Sequence, residues 1–240
     1  MSIKESFRNE VIDGQPVVRR FEERDRIAIR KICSDAALEK PNPQFHEDPE
    51  LAPLYFTDYY LDYEPQSCFV CEVEGRVIGY LVGCKDTRAF YRIFRNRFLP
   101  RIVARIGWKL LTLQYRKKET YRMLWWMLTE RFQRTEKLSI PLDEYPAHTH
   151  LNIVPEYRGC ELSNHLSKAF RQHMKEMGIT GLHAIIIEKA GDSSLFNRFS
   201  GRRNYKLIAT QRHTLLEKMT GEEWQLKLIG CHLDKGQESI

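Results

Sequence analysis

His148, His150 and Asn152 alternate with apolar or small residues in the stretch AHTHLNIV, residues 147–154. The two-residue period of a strand puts all three on one face. Imidazole titrates near neutrality, so either histidine can serve as a base, whereas Asn152 can only orient a carbonyl or a water. The plainer expectation is that both histidines are hydrogen-bonded sheet residues. Directly after them the chain runs through PEYRG, residues 155–159, into an amphipathic helix. A strand that stops at such a loop and restarts as a helix aims the first N–H groups of that helix at one point. An anion held there gains from both hydrogen bonds and the helix dipole.

These residues are positioned by a strand at 147–154, a helix at 160–177 and a strongly apolar strand at 182–187, which together predict a βαβ unit. Leu162, Leu166, Ala169, Phe170, His173, Met174 and Met177 recur at helical steps, and Gly178 stands at the expected cap. Upstream, a short strand at Val17 and Val18 precedes a helix over 22–38, with Ala28, Ile29, Ile32, Cys33, Ala36 and Ala37 inside. A proline- and aromatic-rich connection from Pro41 and Pro43 to Tyr63 follows, partly helical at best. Strands at 67–73 and 76–84 meet at Glu74-Gly75, a hairpin signal. Beyond the βαβ unit we expect a short helix at 192–199, a strand at 205–213 and a weaker terminal strand at 224–233.

Residues 88–137 are helical and basic: 14 Lys or Arg face 3 Glu, a net of +11, leaving 6 − 11 = −5 for the rest of the chain. Pro100 and Gly107 are expected to break this segment into two or three helices. It reads either as a solvated face or as a surface for acidic ligands or anionic lipid. No specific nucleic acid is expected, because no known binding motif accompanies the basic residues. The 240 residues and ordinary composition predict one domain. The absence of a secretory apolar stretch at the N-terminus predicts a cytoplasmic protein, and the six cysteines read as buried free thiols. Cys68 and Cys71 have CxxC spacing, but on a strand residues three apart face opposite sides, so no metal is expected there.

The element order, with TDYYLDYEPQSCFVCEVEGRVIGYLVGCKDTRAF (57–90) and YPAHTHLNIVPEYRG (145–159), resembles the GNAT acyltransferase superfamily. The resemblance spans nearly the whole chain and is nearest to a bacterial branch related to the acetyltransferase-like domain of O-GlcNAc hydrolases. It implies an α/β fold with a central mixed, mostly antiparallel, twisted sheet of about six or seven strands flanked by helices. The basic segment, about 88–144, is then a helical insertion between the third and fourth strands of a single domain, 1–240. The implied activity is transfer of an acetyl group from acetyl-CoA to a small-molecule or peptide amine, without a metal.

The family loop R/QxxGxG/A, whose backbone wraps the CoA pyrophosphate, matches Arg158, Gly159, Cys160, Glu161, Leu162 and Ser163, with Asn164 following. Arg158 is retained, Glu161 replaces the first motif glycine and Ser163 the second small residue. Leu151, Ile153 and Val154 match the strand positions whose backbone pairs with the pantetheine arm. A protonated amine needs a base, for which the candidates are His150, then His148, with Asn152, Tyr80 and Glu72 lining the acceptor site. The family's proton-donating tyrosine falls on Phe196 or Phe199, which leaves Tyr205 as the nearby phenol. Those two departures support a rival expectation of a non-catalytic module with weakened or lost CoA binding. A third is a polyanion- or membrane-binding protein acting through the insertion.

Overall fold

The computed structural model describes residues 15–39, 47–133, 138–158 and 161–233. Strand β1 (Val17–Arg20) leads through a single 3-10 turn into helix α1 (Arg26–Leu38). Two short helices follow, α2 (Leu51–Phe56) and α3 (Asp58–Tyr63), so the aromatic connection is more helical than its prolines suggest. Pro53 is tolerated inside α2 because it lies in the first turn, where its missing N–H has no intrahelical acceptor. Pro41 and Pro43 lie outside the described residues.

Strands β2 (Cys68–Val73) and β3 (Arg76–Cys84) form the expected hairpin. Both turn residues adopt left-handed backbone, φ 50° at Glu74 and 78° at Gly75, the geometry of a two-residue hairpin turn. Helix α4 (Thr87–Ile93) passes through a π-helical stretch (Phe94–Phe98) into α5 (Leu99–Leu111), and α6 (Lys118–Gln133) completes the segment before β4 (Ala147–Ile153). Gly107 does not end a helix as expected; it lies inside α5. Pro100 does not end the helical run either; it stands at the start of α5, directly after the π-helical stretch.

The rest of the chain is α7 (Leu162–Glu176), β5 (Gly181–Lys189), α8 (Ser194–Arg203), β6 (Lys206–Arg212), α9 (Thr214–Thr220) and β7 (Trp224–His232). Gly178 caps α7 with φ 75°, its N–H bonded to Lys175 O and that of Ile179 to Met174 O. Helix α9 has no counterpart in the sequence reading.

The seven strands form one sheet in the order β1-β2-β3-β4-β5-β7-β6, with β4 and β5 the parallel neighbours and the other pairs antiparallel. The terminal strand is therefore not weak. β7 pairs along its whole length with β5 and also with β6, because Leu228, Ile229 and Cys231 are buried in the centre of that half-sheet.

Each sheet face carries its own core. One holds Phe69, Cys71, Leu81, Ile153 and the inner stripe of α7, Leu162, Leu166, Phe170 and Met174. The other holds Cys68, Val70, Tyr80, Val82 and the inner residues of α1 to α3. Cys68 and Cys71 thus point to opposite faces, as their spacing predicts. The described cysteines are buried and unbridged, and desolvation pushes the Cys71 thiol up to about 11.

Candidate functional site

Strand β4 is fully paired to β3, from Cys84↔His148 to Gly79↔Ile153, but it pairs with β5 only at Ala147↔Leu182 and His148↔His183. Past His148 the two parallel strands separate. The N–H of Val154 donates to Ile78 O at 2.9 Å, on the β3 side. Backbone groups alternate along a strand, so those of Leu151 and Ile153 face the opening beside β5. Of the three residues expected to present backbone there, Leu151 and Ile153 do so, while the N–H of Val154 is already committed to β3. The Ile153 carbonyl accepts from Arg158 Nε at 3.0 Å.

The opening leads to the start of α7. Glu161 is the residue before that helix and adopts φ 58°, ψ −3°, left-handed backbone that costs a side-chain-bearing residue about 1–2 kcal/mol. The chain thus follows a path open to glycine, the residue that the resemblance puts at this position, while carrying an exposed carboxylate. Glu161 O accepts from the N–H of Asn164 at 2.7 Å and of His165 at 3.2 Å, starting the helix. Leu162 is buried in the α7 core, while Ser163 and Asn164 are partly exposed. Gly159 and Cys160 lie outside the described residues. Arg158, about half exposed, is held by Glu39 at the end of α1, Nη1 to Oε2 2.6 Å.

His148, His150 and Asn152 do share a face, the one covered by α1 to α3, and each joins a polar network. His148 Nε2 lies 2.7 Å from Tyr60 Oη, and its Nδ1 lies 2.7 Å from Thr87 Oγ1. Thr87 gives its one proton to Pro146 O, so its oxygen accepts from Nδ1–H and Nε2 accepts from the Tyr60 hydroxyl. Phe90 stands edge-on to the ring. Desolvation, with smaller repulsion from His183 and His150, pushes the His148 imidazole down to about 3. Its ring is hydrogen-bonded at both nitrogens, and the lowered pKa makes it a weak base.

His150 stacks on Phe56, rings 5.0 Å apart and 9° from parallel, and its Nδ1 is 3.3 Å from Tyr80 Oη. Asn152 Nδ2 donates to the same phenol oxygen at 2.8 Å. Tyr80 is fully buried, and desolvation followed by the neighbouring Cys33 thiol holds its phenol protonated, well above the usual range. His150 thus retains partial exposure, in contrast to the enclosed phenol beside it.

Two candidates lie elsewhere. Tyr205 is packed edge-on to Phe199 in the α7-side core, across the sheet from the histidines. Glu72 joins Asp25 in holding Arg19, Oε2 2.5 Å from Nη2, along a groove of about 570 Å³ between α1 and the β2–β3 hairpin. Thr87 and Phe56 carry no signal in the sequence and Tyr60 only that of the aromatic connection, because their approach depends on pairing between distant segments. The sequence reading also missed Glu188 on β5, which binds Lys227 Nζ at 2.8 Å and the N–H of Leu195 at 2.6 Å, both charges buried. A lone lysine inside the apolar run of β7 was the available signal.

No family model matches the chain. Among solved structures, the fold is similar to SsHAT at 23% identity, covering 92% of this chain and 100% of that one, TM-score 0.64. It is similar to yncA, a putative acetyltransferase from Salmonella typhimurium solved with acetyl-CoA, at 14% identity over 92% and 95% of the chains, TM-score 0.53. It is also similar to a ribosomal-protein-alanine N-acetyltransferase from Brucella melitensis, at 15% identity over 90% and 99%, TM-score 0.51. At these identities the likeness shows the fold, which is the GNAT fold: a seven-stranded mixed sheet flanked by helices.

Proposed function

We propose that this GNAT-fold chain is an acetyl-CoA-dependent N-acyltransferase, and that its donor lies in the opening between β4 and β5. The observation that carries the reading is the loss of β4–β5 pairing directly after His148. It leaves the backbone of Leu151 and the N–H of Ile153 facing the opening toward the start of α7, with the Ile153 carbonyl held by Arg158. An amide-bearing arm can pair with that edge as a further strand does, and the N–H groups of the first turn of α7 suit its phosphates. Glu161 fits this role through its backbone and opposes it through its charge. Kinship with the branch related to O-GlcNAc hydrolases rests on residues 57–90 and 145–159.

The thioester supplies an activated acyl carbon. On this reading, Leu151 and Ile153 hold the arm, and the partly exposed His150 accepts the proton that an amine must lose before its nitrogen can attack. Asn152, tied to Tyr80, fixes the polar wall beside that imidazole. The acceptor is an amine of a small molecule or peptide.

A second reading, a GNAT-like module without turnover, is favoured by the placement of Tyr205. That phenol is buried and packed edge-on to Phe199 rather than presented at the surface as a proton donor. The test is calorimetric titration with acetyl-CoA, followed by thiol release with an amine panel. Binding with acceptor-dependent thiol release supports the enzyme, binding without release supports the module, and no binding by either native protein or Glu161→Gly overturns the acyltransferase reading and leaves the non-catalytic module.

A further inference from the structure

The turn joining α5 to α6 presents apolar side chains to solvent on a rigid mount. Trp108 is 64% exposed, Leu111 82% and Leu113 75%. They are not frayed ends. Leu113 holds left-handed backbone, φ 52°, a strained state for a leucine that persists only where the surroundings fix it. The mount is a pair of acids from the segment before α2. Asp48, fully buried, takes Arg105 Nε and Nη2 at 2.7 Å each and Lys109 Nζ at 3.2 Å, while Glu47 Oε1 takes the N–H groups of Arg116 and Lys117 at 2.8 and 3.0 Å. The other side of α5 is anchored by Ile102 and Ile106 in the core beneath.

Basic side chains surround this apex. From Tyr91 to Leu128 eight Arg or Lys are exposed, and Glu119 is the exposed acid among the described side chains. Arg101 precedes Ala104, Trp108 and Leu111 on the outward stripe of α5, and Arg116, Lys117 and Lys118 follow Leu113 directly. Trp125 and Leu128, 64% and 52% exposed, continue the pattern on α6.

We infer that this turn seats the protein on an anionic membrane surface, with Trp108, Leu111 and Leu113 entering the headgroup boundary and the bases pairing with lipid phosphates. Tryptophan and leucine beside cations are what such an interface stabilises. A second copy of the chain is a poorer occupant, because a two-fold contact would oppose this basic surface to itself. Nucleic acid is poorer too, since exposed aliphatic side chains gain little from a phosphate backbone. No described helix is long and apolar enough to cross a bilayer, so the contact is interfacial.

The experiment is co-sedimentation of the full chain with vesicles of phosphatidylcholine alone or mixed with phosphatidylglycerol, with tryptophan emission recorded in parallel. The mixed vesicles should bind it, with a blue shift that is reduced in Trp108→Phe, and phosphatidylcholine alone should bind it weakly. Leu111→Ser combined with Leu113→Asn, both at exposed positions, should cut partitioning by about tenfold or more without lowering the melting temperature. Lys117→Glu with Lys118→Glu should weaken binding similarly. No binding to mixed vesicles at low salt overturns the inference, as does binding unchanged in the leucine variant, which would leave polyanion adsorption. Concentration-dependent self-association removed by the leucine variant, with no vesicle binding, would assign the face to a second copy instead.

Discussion

Tyr60 Oη lies 2.7 Å from His148 Nε2 across 88 residues of sequence, tying α3 to the strand at the edge of the proposed donor site. Because Thr87 fixes the opposite nitrogen as the donor, this imidazole is held neutral in one tautomer. Its pKa falls from the ordinary 6.5 to about 3, so between those values the unfolded chain binds the extra proton. The His148 contribution is therefore complete above about 6.5 and lost as pH falls toward 3, on the order of 2–4 kcal/mol. His183 and His173 are also depressed and add the same sign, whereas the raised Asp58 and Glu64 oppose it. His148→Asn should be less stable at neutral pH but lose less on acidification. Urea midpoints across that window decide it; an unchanged slope would refute the assignment.

Glu161→Gly should raise stability by ~1 kcal/mol, since it relieves left-handed backbone, with chain flexibility offsetting part of the gain. It should also tighten acetyl-CoA binding by removing the carboxylate. Thermal melts and calorimetry separate the two effects. Tighter binding with no stability gain would place the effect in charge alone, and weaker binding would show that the carboxylate makes a contact the site requires.

His150→Ala should lower kcat by roughly 10²–10⁴-fold while changing acetyl-CoA affinity little, if this imidazole takes the amine proton. Steady-state kinetics beside donor titration give both numbers. A wild-type rate in the variant would move the base to water or to another residue.

Two glycine substitutions should act in opposite directions. A Cβ at Gly83 would lie 2.6 Å from both His148 O and the Phe170 ring, so Gly83→Ala should destabilise by ~1–3 kcal/mol. At Gly107, inside α5, a Cβ meets nothing, and Gly107→Ala should stabilise by ~0.5–1 kcal/mol. Denaturant melts of both variants test the description of α5 as an unbroken helix.

Lys227→Met should cost ~3–5 kcal/mol, because it leaves the buried Glu188 carboxylate without its cation. Adding Glu188→Gln should recover part of that loss, since a neutral amide can still accept from the N–H of Leu195. A double variant as unstable as the single would mean that the charge itself holds the start of α8.

The succession of the seven strands, the shared face of His148, His150 and Asn152, the Glu74-Gly75 turn, the Gly178 cap and the opposed faces of Cys68 and Cys71 were all legible in the chain. Each rests on local periodicity or on a backbone conformation that few residues adopt. What remained hidden depends on which segments meet. The order that puts β7 between β5 and β6, the separation of β4 from β5 after His148, and the packing of α3 and α4 that desolvates His148 depend on long-range meetings without a local signature. Two histidines at equal spacing on one strand look alike in sequence. Only the tertiary contacts tell them apart: His148 lies against Tyr60, Thr87 and Phe90, where desolvation makes it a weak base, while His150 stacks on Phe56 beside Tyr80 and is left as the candidate base.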